Sequence, residues 1–154
     1  MIRIGMFDAD AVAEALARLV HLDGMAERCP LATLDLLGIE AEHVPPSKNE
    51  DGFFVAKPLV RVGINWIGPT TKLRTRASHE LGHVGLWVCG YRLPHNEEHA
   101  SRVGRAYCMG RADMIRRLTL YDLDQVVDSY DAFEPGEVLQ RIYEVRRTLV
   151  RRAV

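Results

Sequence analysis

The run from Thr70 to Val88 constrains this chain most, because it sets His79, Glu80 and His83 into an otherwise regular helical pattern. Leu73, Ala77, Leu81, Val84 and Val88 recur at the spacing of one helical stripe. The run therefore reads as an amphipathic helix, capped by Thr70 or Thr71 after Gly68-Pro69 and ended by Gly90. Residues four apart on a helix share a face, so the imidazoles of His79 and His83 can grip one ion while Glu80 projects beside it. A hydrolytic zinc needs this set: two nitrogen ligands, a third protein ligand, an open position for water, and a carboxylate to take that water's proton. The reading makes His79 and His83 metal ligands and Glu80 the general base of a zinc-dependent peptidase.

The third ligand is expected on the next helix. Asn96 is a natural cap for a helix from Glu97 to about Met109. If Glu97 faces the metal, Ala100, Ser101 and Gly104 lie along the same side; with Gly82 and Gly85 opposite, these small residues would let the two helices approach closely. Glu98, turned about 100° away, is the second choice. His95 and His99 flank the ligand and read as solvated residues, whereas His21 and His43 read as structural. Arg74, Arg76, Tyr91, Tyr107 and Tyr143 are candidates to stabilise an oxyanion, with nothing in the sequence to choose among them.

Upstream, Asp8 or Asp10 can cap a helix running to about Leu22, and Pro30 to Leu37 reads as a second helix stopped by Gly38. Strands are expected at Ile39 to Val44, Phe53 to Val55 and Leu59 to Ile67, with a turn-rich loop from Pro45 to Gly52. Downstream, helices are expected at Thr119 to Tyr130 and at Pro135 to about Arg151, the latter with a stripe of Val138, Ile142, Val145 and Leu149. The expected class is α+β: a small antiparallel or mixed sheet packed with a zincin-type HExxH helix, followed by a helical C-terminal part. A length of 154 residues suits one domain, residues 1–154, with a catalytic core over about 1–110 and a helical segment over about 111–154.

Composition narrows the class further. No apolar run approaches the roughly 20 residues of a membrane span, and Met1 to Asp10 lacks the basic start of a secretory signal, so a cytoplasmic protein is expected. Three cysteines, Cys29, Cys89 and Cys108, give neither an even count nor a CxxC spacing, which fits a reducing compartment. A net charge of -1 does not point to nucleic acid. The C-terminal third is rich in arginine, from Arg102 to Arg152, and reads mainly as a solvated helix face.

The run Arg74 to His83, with the pair Ile64-Asn65 upstream and the helix Glu97, Ala100, Gly104, Tyr107 downstream, resembles the ImmA/IrrE family of bacterial and phage metallopeptidases. The likeness covers about Leu37 to Met109, and Leu123 to Tyr143 is similar to the family's C-terminal helical segment. Gly104 stands where the family has a second alanine, and Tyr107 to Gly110 replaces a Leu-Leu-Met-Pro ending. The resemblance implies that His79, His83 and Glu97 bind zinc, that Glu80 is the base, and that the substrate is a helix-turn-helix repressor of the XRE class whose cleavage derepresses a stress, mobile-element or phage-defence operon. On this view a repressor peptide would add to the sheet along the Leu59 to Ile67 strand, taken as an edge. Two competing functions are a non-catalytic regulator that only holds its repressor, and a DNA-binding protein using Leu123 to Arg152. For control, Cys89 is the first candidate to cap the metal as a thiolate and Cys108 the second; nucleic acid bound by the C-terminal arginines is the alternative trigger.

Overall fold

The computed structural model describes residues 7–45, 50–91 and 94–152, and part of the turn-rich loop expected between Pro45 and Gly52 lies outside them. Its centre is a helical hairpin of α3 (Thr70–Val88) and α4 (Glu97–Cys108). Small residues bring the two backbones together. A Cβ added at Gly82 would lie 1.9 Å from the carbonyl oxygen of Ala100, and one at Gly104 would lie 2.2 Å from that of Ser78. The same pairs run in opposite directions along the chain, so the hairpin is antiparallel. Asn96 caps α4 by accepting a hydrogen bond from the His99 amide, and α3 ends at Cys89 before Gly90, whose φ of 75° only glycine adopts readily.

Helix α1 (Ala9–Leu19) lies across this hairpin, capped by Asp8 and burying Val12 and Leu16 close to Gly85. It ends three residues short of the expected Leu22. Helix α2 (Pro30–Leu36) starts at a proline and stops before Gly38, as its sequence predicts.

The sheet has three strands, β1 (Ala41–His43), β2 (Gly52–Val55) and β3 (Arg61–Ile64), in the order β1-β3-β2. β1 is parallel to β3 and β2 antiparallel to it, so the sheet is mixed. Two expectations change here. The strand read as Leu59 to Ile67 is only four residues long, leaving Trp66 and Ile67 largely exposed, and it is the central strand rather than an edge. Arg61 of β3 is exposed and pairs across the strands with Glu42 of β1 through two hydrogen bonds of 2.8 and 2.7 Å. Among the described residues the outer strands of the sheet are β1 and β2.

The C-terminal part holds α5 (Arg111–Leu120), α6 (Leu123–Ser129) and α7 (Pro135–Arg152). The expected Thr119 to Tyr130 helix is thus split, and α5 goes unforeseen. Asp122 breaks the run by forming a capping box with Gln125. The residues α5 buries are Asp113, Met114 and Arg117, so it has no apolar stripe to read. In α7 the predicted stripe is correct for Val138, Ile142 and Val145, which join the same core as α1, the sheet and the hairpin.

Several arginines of this region are packed, contrary to the solvated-face expectation. Arg141 is 1% exposed and donates to Asp10 at 2.6 Å and to the Met109 carbonyl at 2.9 Å. Arg105 bridges Glu144 and Glu137. Arg117 meets Glu27 and Asp113 and stacks 3.8 Å from the Tyr130 ring centre. Burial alone would raise the Asp113 carboxyl, but hydrogen bonds from Tyr130 and Arg116 and the charges of Arg117 and Arg116 leave it below its ordinary value. Among the described residues no helix is long and apolar enough to cross a membrane.

The hairpin makes a direct prediction. Gly82→Ala should destabilise the protein by about 3 kcal/mol or more, because its methyl group meets backbone that cannot move aside. Gly136→Ala, at a helical position with open space around the new methyl, should instead stabilise by about 0.5–1 kcal/mol. Denaturant unfolding of both variants checks the contrast.

Candidate metal centre

The hairpin turns a local spacing into a three-dimensional site. His79 and His83 lie one turn apart on α3, and Glu97 is the first residue of α4. One donor atom from each of the three falls within 4.8 Å of the others, a group that could hold a metal ion. Nε2 of His79 is 2.6 Å from Oε2 of Glu97, Nε2 of His83 is 3.4 Å from Oε1, and the two Nε2 atoms are 3.2 Å apart. Glu98, the second choice for the third ligand, is exposed and outside this group.

The outer face of each imidazole is engaged, and this decides what the inner face offers. Nδ1 of His83 lies 2.5 Å from the Pro94 carbonyl, which can only accept, so Nδ1 carries the proton and Nε2 presents a lone pair to the centre. Nδ1 of His79 lies 2.7 Å from the Ser101 hydroxyl, which can donate or accept. With Nδ1–H of His79 donating to Ser101, both Nε2 lone pairs and the Glu97 carboxylate converge on one point without a proton between them. Such a convergence of acceptors suits a cation, and imidazoles oriented through their other nitrogen are the usual support of metal ligands.

The protonation tendencies agree. Burial lowers the pKa of His83 below 6.5 despite the opposing Pro94 carbonyl, keeping it neutral as a ligand must be. Burial pushes the Glu97 carboxyl up, but its contacts with the two imidazoles outweigh this and hold it below its ordinary value, so it is a carboxylate, as a ligand must be. Phe54 of β2 stacks on the His83 ring, with centroids 5.5 Å apart and planes 8° from parallel, and fixes it from behind.

Glu80 points toward β2, where a Cβ on Gly52 would come within 2.7 Å of its Oε1. The side chain is 4% exposed, and its Oε2 has no hydrogen-bond partner among the described residues. Burial first, then the nearby carboxylates of Glu97 and Asp51, push its pKa up to about 8. A cation at the adjacent ligand set would reverse much of this, so the orphaned oxygen is a second feature that fits a metal beside it.

Of the five oxyanion candidates, only Arg76 lines the cleft at this centre, which has a volume of about 420 Å³. Its guanidinium donates to Asp51 and to the carbonyls of Asn65 and Ile67, tying α3 to the ends of β2 and β3. Tyr107 is buried, with its hydroxyl 2.6 Å from that of Thr33; Tyr91 packs edge-on against Phe7; Tyr143 lies on the exposed side of α7. His95 sits near Phe54 and His83, with its ring centre 6.2 Å from that of His83, and His99 stacks on Phe7. Cys89, the first candidate cap, is exposed at the C-terminal end of α3 and no part of the donor group; six residues beyond His83 is about 9 Å along the axis. Cys108 is fully buried at the far end of α4.

Sequence reasoning missed the Pro94 carbonyl, Phe54, Asp51 and Glu137 as neighbours of the site, and took Ser101 only as a small residue. Each comes from an element or loop whose placement no local spacing encodes. Compared with models of protein families, with curated proteins and with solved structures, the chain matches none.

Two measurements test this centre. His79→Ala, His83→Ala and Glu97→Ala should abolish binding of about one metal ion per chain, Glu98→Ala should leave it intact, and Ser101→Ala should weaken it roughly 10–100-fold; metal analysis and competition titration read these. In the metal-free protein, a carboxyl raised from near 4.5 to about 8 costs nothing below pH 4.5 and increasingly destabilises the fold as pH rises toward 8. The full cost is on the order of 5 kcal/mol. Glu80→Gln should therefore flatten the loss of stability of the metal-free protein between pH 5 and pH 8, as followed by unfolding at each pH.

Proposed function

We propose that this chain is a zinc-dependent peptidase of the ImmA/IrrE type. The observation that carries the reading is the convergence of His79, His83 and Glu97 beside the buried, unpartnered carboxylate of Glu80. Two imidazoles and one carboxylate form a donor set that zinc accepts readily, and three protein ligands leave a coordination position open. Zinc held there supplies Lewis acidity, lowering the pKa of water to about 7 and polarising a carbonyl.

The remaining chemistry belongs to the chain. Glu80 takes the proton of the attacking water at Oε2 and delivers it to the leaving amine as the peptide bond breaks. Its burial against Gly52 keeps the carboxylate desolvated and strongly basic. His79 and His83 are held in place by Ser101 and Pro94. The peptide docks along β2, the edge strand that contributes Gly52 beside Glu80 and Phe54 behind His83; the central β3 has both sides paired.

The substrate class rests on the resemblance of Arg74 to His83 and of the Glu97 helix to the ImmA/IrrE family: a helix-turn-helix repressor, whose cleavage relieves repression. The DNA-binding alternative fits the C-terminal helices less well, because α7 spends Val138, Ile142, Val145 and Arg141 on the core.

Incubation of the zinc-loaded protein with a repressor encoded beside it should give discrete fragments. Glu80→Gln should retain zinc and fold while losing about 10²–10⁴-fold in cleavage rate. Equal cleavage by the variant and the parent protein would exclude Glu80 as the base, and an intact repressor under all conditions would exclude the proposed substrate.

A further inference from the structure

The cleft at the metal centre has a pronounced charge. Five carboxylates line it: Glu50 and Asp51 from the entry to β2, Glu80 from α3, Glu97 from α4, and Glu137 from the first turn of α7. Among the described residues that line it, Arg76 is the one arginine and none is a lysine. That arginine is drawn to Asp51 and to two backbone carbonyls. Glu137 has a partner in Arg105, at 3.3 Å, but Arg105 prefers Glu144 at 2.6 Å. The outer carboxylates face water, with Asp51 82% and Glu97 75% exposed, whereas the innermost, Glu80, is buried with Oε2 unpartnered. A divalent cation on the ligand set would not cancel five negative charges, even with the help of Arg76. The cleft therefore stays electronegative in the state that would carry out chemistry.

We infer that this cleft selects a peptide segment bearing a lysine or arginine side chain next to the bond held at the metal, recognised by Glu50, Asp51 and Glu137. The inference rests on the reading of the centre as a peptidase site and adds the chemical class of its substrate segment. The carboxylates come from two elements on different sides of the hairpin, the β2 entry next to Glu80 and the start of α7 beyond α4. A long cationic side chain can reach either group while its backbone runs along β2, and an acidic segment meets repulsion from both. Complementarity of this kind acts on encounter and ground-state binding, so it appears mainly in KM and weakens as salt rises.

The test uses the zinc-loaded full chain and three sets of quenched-fluorescence peptides that differ only in carrying Lys and Arg, Gln, or Glu around a randomised central pair. Cleavage of the basic set should exceed that of the acidic set by at least about tenfold in kcat/KM. Glu50→Gln combined with Glu137→Gln should erase most of that margin through KM, with zinc content unchanged. Asp51 is left in place because it holds Arg76. Binding of the same peptides to zinc-loaded Glu80→Gln, followed by fluorescence anisotropy, reads selection without turnover. Cleavage without charge preference, or a preference that the double variant leaves intact, overturns the inference while the peptidase reading stands. Charge-selective binding to Glu80→Gln with no cleavage of any set by the parent protein upholds the selection of basic segments by the cleft and removes the peptidase reading. Neither binding nor cleavage removes both.

Discussion

The backbone contact between α3 and α4 is the constraint on which the rest of this structure depends. With Gly82 against the Ala100 carbonyl and Gly104 against that of Ser78, the helices stand closer than any side chain larger than hydrogen at those positions would allow. That closeness places Glu97 within hydrogen-bonding distance of His79 and lets Ser101 reach the same ring from behind. α1 and the sheet cover the flanks of the hairpin with Val12, Leu16, Phe54 and Ile64. The donor group is thus a product of packing.

Much of this was legible in the sequence, for physical reasons that differ from residue to residue. His79, Glu80 and His83 could be read together because helical geometry alone fixes their relation, and Glu97 followed because Asn96 is a strong cap that sets the phase of the next helix. The glycines could be read as a close approach because small residues fell on the faces that the ligands required. Strand order could not be read: a four-residue strand with alternating residues looks alike at an edge and at the centre, and only pairing with β1 and β2 places β3 between them. α5 escaped because it buries an aspartate and an arginine, which compensate each other through space rather than along a stripe.

The buried arginines illustrate how composition misleads when charge is counted without partners. Arg105, Arg117 and Arg141 each find carboxylates from distant parts of the chain, from Asp10 to Glu144. Their planar guanidinium groups can satisfy several acceptors at once, which suits them to the joints between short helices. Through Arg105, the start of α7 is tied to α4, and this also brings Glu137 to the mouth of the cleft. An ion-pair network that organises the C-terminal helices therefore shapes the electrostatics of a site formed by other elements.

The division of the three donors between two helices carries a mechanical consequence. Glu97 is the first residue of α4 and extends into solvent, where a helix terminus frays most easily, whereas His83 is locked in the core. An ion bridging them acts as a clasp across the open end of the hairpin, joining a rigid part of the fold to its most yielding one. The grip of the ion and the order of the α4 terminus become one equilibrium, with the clasped state gaining RT ln(1 + [ion]/Kd) over the open one. Loss of the ion would loosen this end first, while the glycine contacts deeper in the hairpin keep the two helices together.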